Sequence, residues 1–317
     1  MDEPKKSKNG LIIAIVLLLV FAGAYLFVLN TYQNEGANRA TSLSLEPEKL
    51  ANLDKNRINA FGKIVSADPV KGDLIVRLTF EPEGTLSADG KLSRDLQLDV
   101  SSAAGKHVYE FKKGRRMDPV EAIVDLYEGD PMDYPFDKHE AELSFFFEPA
   151  GAGAEGSIPV NLELHGAVNG LSIEAAFAKE HTDDRVVVDL SISRASTTLF
   201  FSTFIMFAMW MLTLGVIFLV FRVYRGERKI EISMFSFLGA LLFAFPALRN
   251  SQPGTPPIGT LSDFIAFFWA EVLIALSLLA VVIRWATRGP GGSRVDRSAL
   301  SELNVGLPAP RMFGVGR

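Results

Sequence analysis

A single carboxylate lies inside an apolar segment in the C-terminal part of the chain. Glu271 stands in the stretch FFWAEVLIALSLL, about 10 Å from one end of a helix with ~1.5 Å rise per residue. A charged side chain near the bilayer centre costs roughly 2.5–3.5 kcal/mol, so Glu271 is expected to face protein or water. It is a candidate for a proton or cation path. The alternative is a packing role, in which Glu271 binds Arg249 or Asn250 and holds two membrane helices together.

The connection that precedes this segment is rich in Pro and Gly. Residues 249–263 read RNSQPGTPPIGTLSD, and the candidate positions in it are Pro253, Gly254, Pro256, Pro257 and Asp263. Proline donates no amide hydrogen bond and glycine permits tight turns, so this connection is shaped and is not a helix. It forms either a rigid cap against the outer domain or a re-entrant lining. The cap is favoured, because exposed non-helical backbone is penalised at membrane depth.

A third candidate is the turn formed by Tyr134, Pro135, Phe136 and Asp137, just before an alternating strand. A Pro-Phe-Asp tripeptide in this position resembles the loop at the membrane-facing end of the β-sandwich in pentameric ligand-gated channels. The resemblance covers four residues, and this chain differs from that family in having one predicted span before the sandwich and three after it. The other interpretation is a simple turn, in which Asp137 binds local backbone and Phe136 packs in the core.

Several kinds of chemistry are excluded by residue type. The chain has no cysteine, so it has no disulfide, zinc-thiolate site or thiol nucleophile. It also lacks a Gly-rich phosphate loop with its lysine, a G-x-S-x-G elbow and an H-E-x-x-H helix. The run that begins at His181 has no metal-ligand spacing and predicts a solvated turn. We therefore expect no catalytic residue, no metal, no cofactor and no enzymatic activity.

The composition predicts a membrane protein. Of 317 residues, 48% are hydrophobic and 22% charged, and the mean hydropathy is +0.21. Runs long enough to cross about 30 Å of hydrocarbon occupy residues 11–29, 199–221, 232–248 and 264–283. The first run has an alternative interpretation as a signal peptide cleaved near Gly23, but it continues to Leu29, which favours a retained anchor.

Basic residues flank these spans asymmetrically. Lys and Arg cluster in residues 1–10, in the loop 222–231 and in the flexible tail 284–317, which predicts that all three are cytoplasmic. Residues 30–198 are then extracytoplasmic. Residues 31–198 hold 18 Lys and Arg against 29 Asp and Glu, a formal charge of −11, and the remainder carries +6. An acidic outer domain argues against nucleic acid as a partner.

The outer domain shows the period-two alternation of half-buried strands. The candidate strands are 60–65, 74–80, 96–100, 107–111, 122–127, 143–147, 160–164, 171–177 and 186–192. This many short strands predict an all-β sandwich over residues 58–198, reached from the first span by a stalk or short helix over residues 30–57. The fold class is therefore a mixed membrane protein, with four transmembrane helices, one N-terminal and three C-terminal, and an extracytoplasmic β-sandwich.

The order of these parts, with YPFDKHEAEL in the outer domain and FPALRNSQPGTPPIGTLSDFIAFFWAE in the last spans, resembles an uncharacterised family of bacterial, actinobacterial-type integral membrane proteins described as a domain of unknown function. The resemblance implies an inner-membrane location and carries no activity or site residues with it. Two hypotheses follow. The first is an accessory or sensor-like envelope protein whose sandwich binds a partner or an envelope ligand. The second is a small transporter or channel subunit that uses Glu271. The expected partners are the lipid bilayer and either another protein or further copies of this chain.

Overall fold

The structure is a computed structural model, and it describes residues 41–103, 107–151 and 156–287 together with individual positions between 12 and 33. The predicted first span, residues 11–29, falls partly outside the described residues. At the positions described there the backbone is helical. The predicted N-terminal residues 1–10 and nearly all of the predicted tail 284–317 also lie outside them.

The described part of the N-terminal region is built mainly of β-strands. They are β1 (Thr41–Ser44), β2 (Ile58–Asp68), β3 (Asp73–Pro82), β4 (Ser87–Ala88), β5 (Lys91–Leu92), β6 (Leu96–Val100), β7 (Val108–Phe111), β8 (Val120–Asp125), β9 (Lys138–Pro149), β10 (Val160–Gly166), β11 (Leu171–Phe177) and β12 (Arg185–Arg194). Two five-stranded sheets have the orders β1-β10-β2-β3-β8 and β11-β12-β9-β6-β7, and β4 pairs with β5. Each of the nine predicted strands is confirmed, with shifts of a few residues at the ends.

Two features of the first sheet were not predicted from the sequence. The pairing of β10 with β2 is parallel, so this sheet is mixed. The segment predicted as a stalk or short helix does contain a short helix, α1 (Pro47–Asn52), but it also contributes β1, which pairs antiparallel with β10 from Thr41↔Gly166 to Ser44↔Glu163. The sandwich therefore includes residues from Thr41 onward. A four-residue strand in which only Leu43 packs against the core gives no alternation long enough to detect.

One hydrophobic core joins the two large sheets. Burial alternates along the strands, as in β2 and β8, because successive side chains point to opposite faces. Aromatic side chains cross the interior: the Phe80 ring of β3 meets Phe147 of β9 edge-on with 5.2 Å between centroids, and Phe111 of β7 at 5.9 Å. The core thus packs the inner faces of the two sheets against each other, as expected for a sandwich.

Three helices among the described residues are long and apolar enough to cross a membrane. They are α2 (Ser196–Tyr224), α3 (Ile232–Asn250) and α4 (Phe268–Thr287). A π-helical turn, Asp263–Phe267, leads directly into α4, and Pro246 lies inside α3. These helices coincide with the three C-terminal spans predicted from the sequence. Their apolar outer surfaces include Phe204, Phe218 and Phe243, which suits contact with lipid.

The chain divides into two compact units. The first comprises Met1–Trp210 and Phe245–Trp269, and therefore holds the sandwich, the start of α2 and the α3–α4 connection. The second comprises Met211–Ala244 and Ala270–Arg317. Within the second unit, the Tyr224 hydroxyl donates to the Ala280 carbonyl at 3.0 Å, and the Arg284 guanidinium lies 5.4 Å from the Tyr224 ring centroid.

Truncating the central aromatic contact should destabilise the sandwich. Phe147→Ala removes a fully buried ring, and we expect the free energy of unfolding to fall by about 3–5 kcal/mol. The matched control is Phe61→Ala, because Phe61 is 36% exposed on β2, and its effect should stay within about 1 kcal/mol. Urea unfolding of the full chain in detergent, followed by far-UV circular dichroism, measures both. Equal losses in the two variants would contradict the assigned core.

Candidate functional site

Several connections meet at the end of the sandwich where the chain enters α2. Lys138, at the start of β9, is the pairing partner of Ser193, near the end of β12. The Leu126 amide, just after β8, donates to the Gly72 carbonyl of the β2–β3 turn at 2.8 Å. The β2–β3 turn, the β8–β9 connection and the end of β12 are therefore neighbours. We call this the basal end of the sandwich.

A buried ion pair lies at the basal end. Arg194 Nε donates to Asp137 Oδ1 at 2.9 Å and to Oδ2 at 3.0 Å, and Nη2 donates to Oδ2 at 2.7 Å. The side chains are only 10% and 1% exposed, respectively. A buried carboxylate or guanidinium is tolerated when it is paired and hydrogen-bonded, and a bidentate pair satisfies both groups in a fixed geometry. The pair thus ties the β8–β9 connection to the last residue of β12.

His139 extends this pair further into the sandwich. Its Nε2 is 3.1 Å from Asp137 Oδ2 and its Nδ1 is 3.1 Å from the Glu128 carbonyl oxygen. Both ring nitrogens face oxygen acceptors, and a neutral imidazole can donate from only one of them. His139 is 2% exposed, so its contacts are made entirely inside the protein. The imidazole and the guanidinium therefore both contact Oδ2 of Asp137.

Tyr134 links the β8–β9 connection to two further segments. Its hydroxyl donates to the Pro253 carbonyl at 2.9 Å and lies 2.6 Å from Ser202 Oγ on α2. The Arg194 guanidinium carbon lies 4.9 Å from the Tyr134 ring centroid, a cation–π distance. Burial raises the pKa of the Tyr134 phenol. One side chain therefore contacts the strand end, the helix α2 and the α3–α4 connection.

A second buried ion pair shapes the α3–α4 connection. Arg249 Nε and Nη2 each donate to an Asp263 carboxylate oxygen at 2.8 Å, and Nη2 also donates to the Pro257 carbonyl at 2.6 Å. The Gly259 amide donates to the same carboxylate at 2.8 Å. Asp263 is fully buried. These bonds close the connection into a compact loop, because they join its two ends and its middle.

This loop rests on the sandwich. The Ser262 amide donates to the Tyr134 carbonyl at 3.2 Å, and the Ser262 hydroxyl donates to Gln252 Oε1 at 3.2 Å. Gly254 has a φ of +77°, a backbone conformation that favours glycine. A Cβ added there would also lie only 3.3 Å from Arg194 Nη1, so glycine suits this position for both reasons. These contacts favour the rigid cap over the re-entrant lining. Pro256 lies in the same loop, three residues before Gly259.

Three interpretations made from the sequence change with the structure. Phe136 does not pack in the core, because it is 54% exposed. The partners of Asp137 are the side chains of Arg194 and His139, not local backbone. The carboxylate bound by Arg249 is that of Asp263, where the sequence suggested Glu271. Asn250 accepts a bond from Arg249 Nη1 at 3.3 Å.

Glu271 lies in the first turn of α4. Its Oε2 is buried and has no hydrogen-bond partner among the described residues. Within the same residues, no group of three or more His, Asp or Glu side chains is arranged to hold a metal ion. This oxygen therefore has no partner in the described part of the chain, within a helix long and apolar enough to cross a membrane.

Arg194 and His139 were not predicted as site residues, although the position of each in the sequence gives an indication of its role. Arg194 is the last residue of an alternating strand and stands two residues before α2, where a basic side chain needs a partner. His139 follows Asp137 by two residues, and in a strand this spacing puts both side chains on one face. Neither signal identifies the partner, because Asp137 and Arg194 are 57 residues apart.

Two family models match the chain, and residues of this cluster lie in both matched regions. Residues 49–192 match a domain of unknown function (DUF4436), and residues 194–288 match another domain of unknown function (DUF8686). Neither carries a function. Asp137 and Tyr134 lie in the first matched region, whereas Arg194, Ser202 and Pro253 lie in the second. The bonds of Asp137 with Arg194, and of Tyr134 with Ser202 and Pro253, therefore join the two matched regions. Among curated proteins none matches this chain.

Removing the charge of Asp137 should be costly. Asp137→Asn leaves the buried Arg194 guanidinium without its anion, and we expect a loss of about 3–5 kcal/mol in the free energy of unfolding. The matched control is Glu121→Gln, which breaks the exposed Arg77–Glu121 pair (Nη2 to Oε1, 2.7 Å) and should cost at most about 1 kcal/mol. Urea unfolding in detergent compares them. A loss as small as the control's would show that the buried pair contributes little.

The Tyr134 hydroxyl should contribute a pH-dependent part of the stability. Tyr134→Phe should cost about 1–3 kcal/mol at neutral pH, since Ser202 and the Pro253 carbonyl each lose a partner. Burial raises the pKa of Tyr134 in the folded state above its ordinary value of about 10. The neutral phenol is thus favoured on folding, so its contribution is complete below about pH 10 and falls as pH rises from there through the folded-state pKa. Unfolding of wild type and variant at a series of pH values measures the difference, which should shrink in that range. A constant difference would contradict this assignment.

Proposed function

We propose that this protein is a non-enzymatic, accessory or sensor-like protein of the bacterial cell envelope. In this proposal the sandwich binds a partner protein or an envelope ligand, and the basal contacts pass the effect to the membrane helices. The observation that carries the proposal is the Tyr134 hydroxyl, bonded at once to α2 through Ser202 and to the α3–α4 connection through Pro253. A shift of the β8–β9 connection must therefore disturb both.

The proposed topology places the sandwich outside the cytoplasmic membrane and both termini inside. Three described helices are suited to crossing a membrane, and the sandwich directly precedes the first of them. The α2–α3 connection carries Arg225, Arg228 and Lys229, and basic residues favour the cytoplasmic side. The α3–α4 connection has no charged residue between Arg249 and Asp263, which form a pair. This charge distribution supports the orientation.

The geometry of the basal end supports transmission better than simple tethering. A flexible tether needs no buried charge, whereas here the last residue of β12 is fixed by Asp137 and stacked on Tyr134. Buried polar networks have well-defined geometries, because each lost contact leaves a group unsatisfied. A change in the position of β12 or β9 is thus converted into a loss of contacts at α2 and the loop. Arrangements of this kind favour two discrete states over a graded response.

The outer face of the second sheet is the proposed contact face for the partner. A groove of about 440 Å³ is lined there by Tyr127, Glu140, Glu174 and Asp189. Asp189 pairs directly with Glu142 across β12 and β9, and like charges in that position are destabilising. A partner with basic side chains would relieve this repulsion and contact the exposed Tyr127 ring. The groove also lies on β9 and β12. Both strands reach the basal end, where β9 begins directly after Asp137 and β12 ends at Arg194.

Crosslinking in the native membrane tests this proposal. A photoreactive residue at Ser191, in the groove, should capture a discrete partner from the envelope, and the same residue at Thr79, on the outer face of the first sheet, should not. Mass spectrometry of the gently extracted protein should then show the same partner bound in a defined ratio. Only copies of this chain in the complex, with equal capture at both positions, would overturn the accessory interpretation.

A small transporter or channel subunit is the second candidate. The buried Oε2 of Glu271, without a hydrogen-bond partner in the described residues, favours it, because an intramembrane carboxyl group is costly without a role. The resemblance of residues 134–137 to the loop of pentameric ligand-gated channels also supports it. Liposomes that hold the purified protein should then show proton or cation flux, and Glu271→Gln should abolish the flux while assembly is unchanged. No flux in the wild type would remove this candidate.

A further inference from the structure

A second cavity lies at the basal end, and Arg194 is among the residues that line it. It has a volume of about 420 Å³. Three segments line it: the β2–β3 turn with Asp68, Lys71 and Asp73, the β10–β11 turn with Asn169, and the loop positions Gly254 and Pro256. It is separate from the acidic groove of the second sheet, and no function described above uses it.

The cavity is placed at the depth of lipid headgroups. Arg194, which lines it, stands two residues before α2, and the apolar run begins at Leu199, about 4.5 Å of helical rise after the start of α2. Gly254 follows the end of α3 at Asn250 by four residues. The headgroup layer of a bilayer is roughly 5–8 Å thick on each side of the hydrocarbon. The cavity therefore borders the membrane surface wherever α2 and α3 cross it.

The lining carries both signs of charge. Arg194 binds Asp137 through Nε and Nη2, and its third nitrogen, Nη1, is the atom nearest to a Cβ built at Gly254. Lys71 is 73% exposed and pairs with Asp68 at 3.2 Å, which leaves further ammonium donors for a ligand. Asp73 supplies a second carboxylate. Guanidinium and ammonium groups suit a phosphate, and a carboxylate suits a primary amine.

Exposed apolar side chains flank the cavity. Val70, in its lining, is 52% exposed, and Ile258, two residues beyond Pro256, is 77% exposed. Large aliphatic side chains on turns that border a membrane are suited to the boundary between headgroups and acyl chains. Their position fits a ligand with an apolar part better than a free anion.

We propose that this basal cavity binds the headgroup of a zwitterionic phospholipid of the phosphatidylethanolamine type. Arg194 and Lys71 contact the phosphate, Asp73 contacts the amine, and Val70 and Ile258 contact the acyl chains. The lipid thereby contacts the β2–β3 turn and the α3–α4 connection at the same time.

Native mass spectrometry of the full chain in mild detergent tests the site. The delipidated protein is mixed with phosphatidylethanolamine, phosphatidylglycerol or phosphatidylcholine, and retained lipid is counted. We expect phosphatidylethanolamine to be retained in preference to the other two. Lys71→Ala should weaken its retention about tenfold, the effect of losing one charge-assisted contact. The matched control is Lys63→Ala, an exposed lysine on the outer face of β2, which should leave retention unchanged.

A second variant tests the amine contact. Asp73→Asn should reduce the retention of phosphatidylethanolamine and spare that of phosphatidylglycerol, which has no amine. Equal retention in Lys71→Ala and Lys63→Ala would overturn the proposal. So would displacement of the lipid by an equal concentration of inorganic phosphate, since the cavity would then be a site for a free anion.

Discussion

Asp137 and Arg194 are buried together, and most of the basal architecture follows from the need to satisfy them. Removing two charges from water costs several kcal/mol for each ion, and the cost is offset only when the geometry is good and the remaining donors and acceptors are bonded. Here the carboxylate accepts a bidentate contact from the guanidinium, and its Oδ2 also lies within hydrogen-bond distance of the His139 imidazole. The Tyr134 ring then covers the guanidinium. The β8–β9 connection has to fold back over the end of β12 to bring these groups together.

The α3–α4 connection also contains a buried ion pair. Arg249 and Asp263 also form a bidentate buried pair, and the prolines between them remove amides that would otherwise need partners. Two carbonyl groups of the loop accept hydrogen bonds from different parts of the chain. That of Pro257 accepts from Arg249 of the loop itself, and that of Pro253 accepts from Tyr134. One serves the internal closure of the loop and the other its attachment to the sandwich. Glu271 contrasts with both aspartates, because no arginine was found bonded to it among the described residues.

The sequence predicted the elements well and their connections poorly. Alternation such as that of Leu74, Val76 and Leu78 is a local property, and it identified every long strand. Apolar length identified α2, α3 and α4 for the same reason. The parallel pairing of β10 with β2 could not be predicted, since it joins segments about 100 residues apart and leaves no local pattern. Neither could the partner of Asp137. Candidate positions were proposed at Tyr134, Asp137, Arg249 and Asp263, but the contacts that connect them depend on the tertiary fold.

Both connections of the sandwich to the rest of the chain lie at one end. β1 begins at Thr41, opposite Gly166 at the end of β10, and β12 finishes at Arg194, close to the β10–β11 turn where the Ala195 amide donates to the Gly170 carbonyl at 3.0 Å. In the described part of the chain, the opposite end carries no such connection. β9, which starts at this basal end, spans about 40 Å with its 12 residues and runs toward the opposite end, the tip of the sandwich. A small force applied to the tip exerts its greatest torque at the base, where the two buried arginines lie.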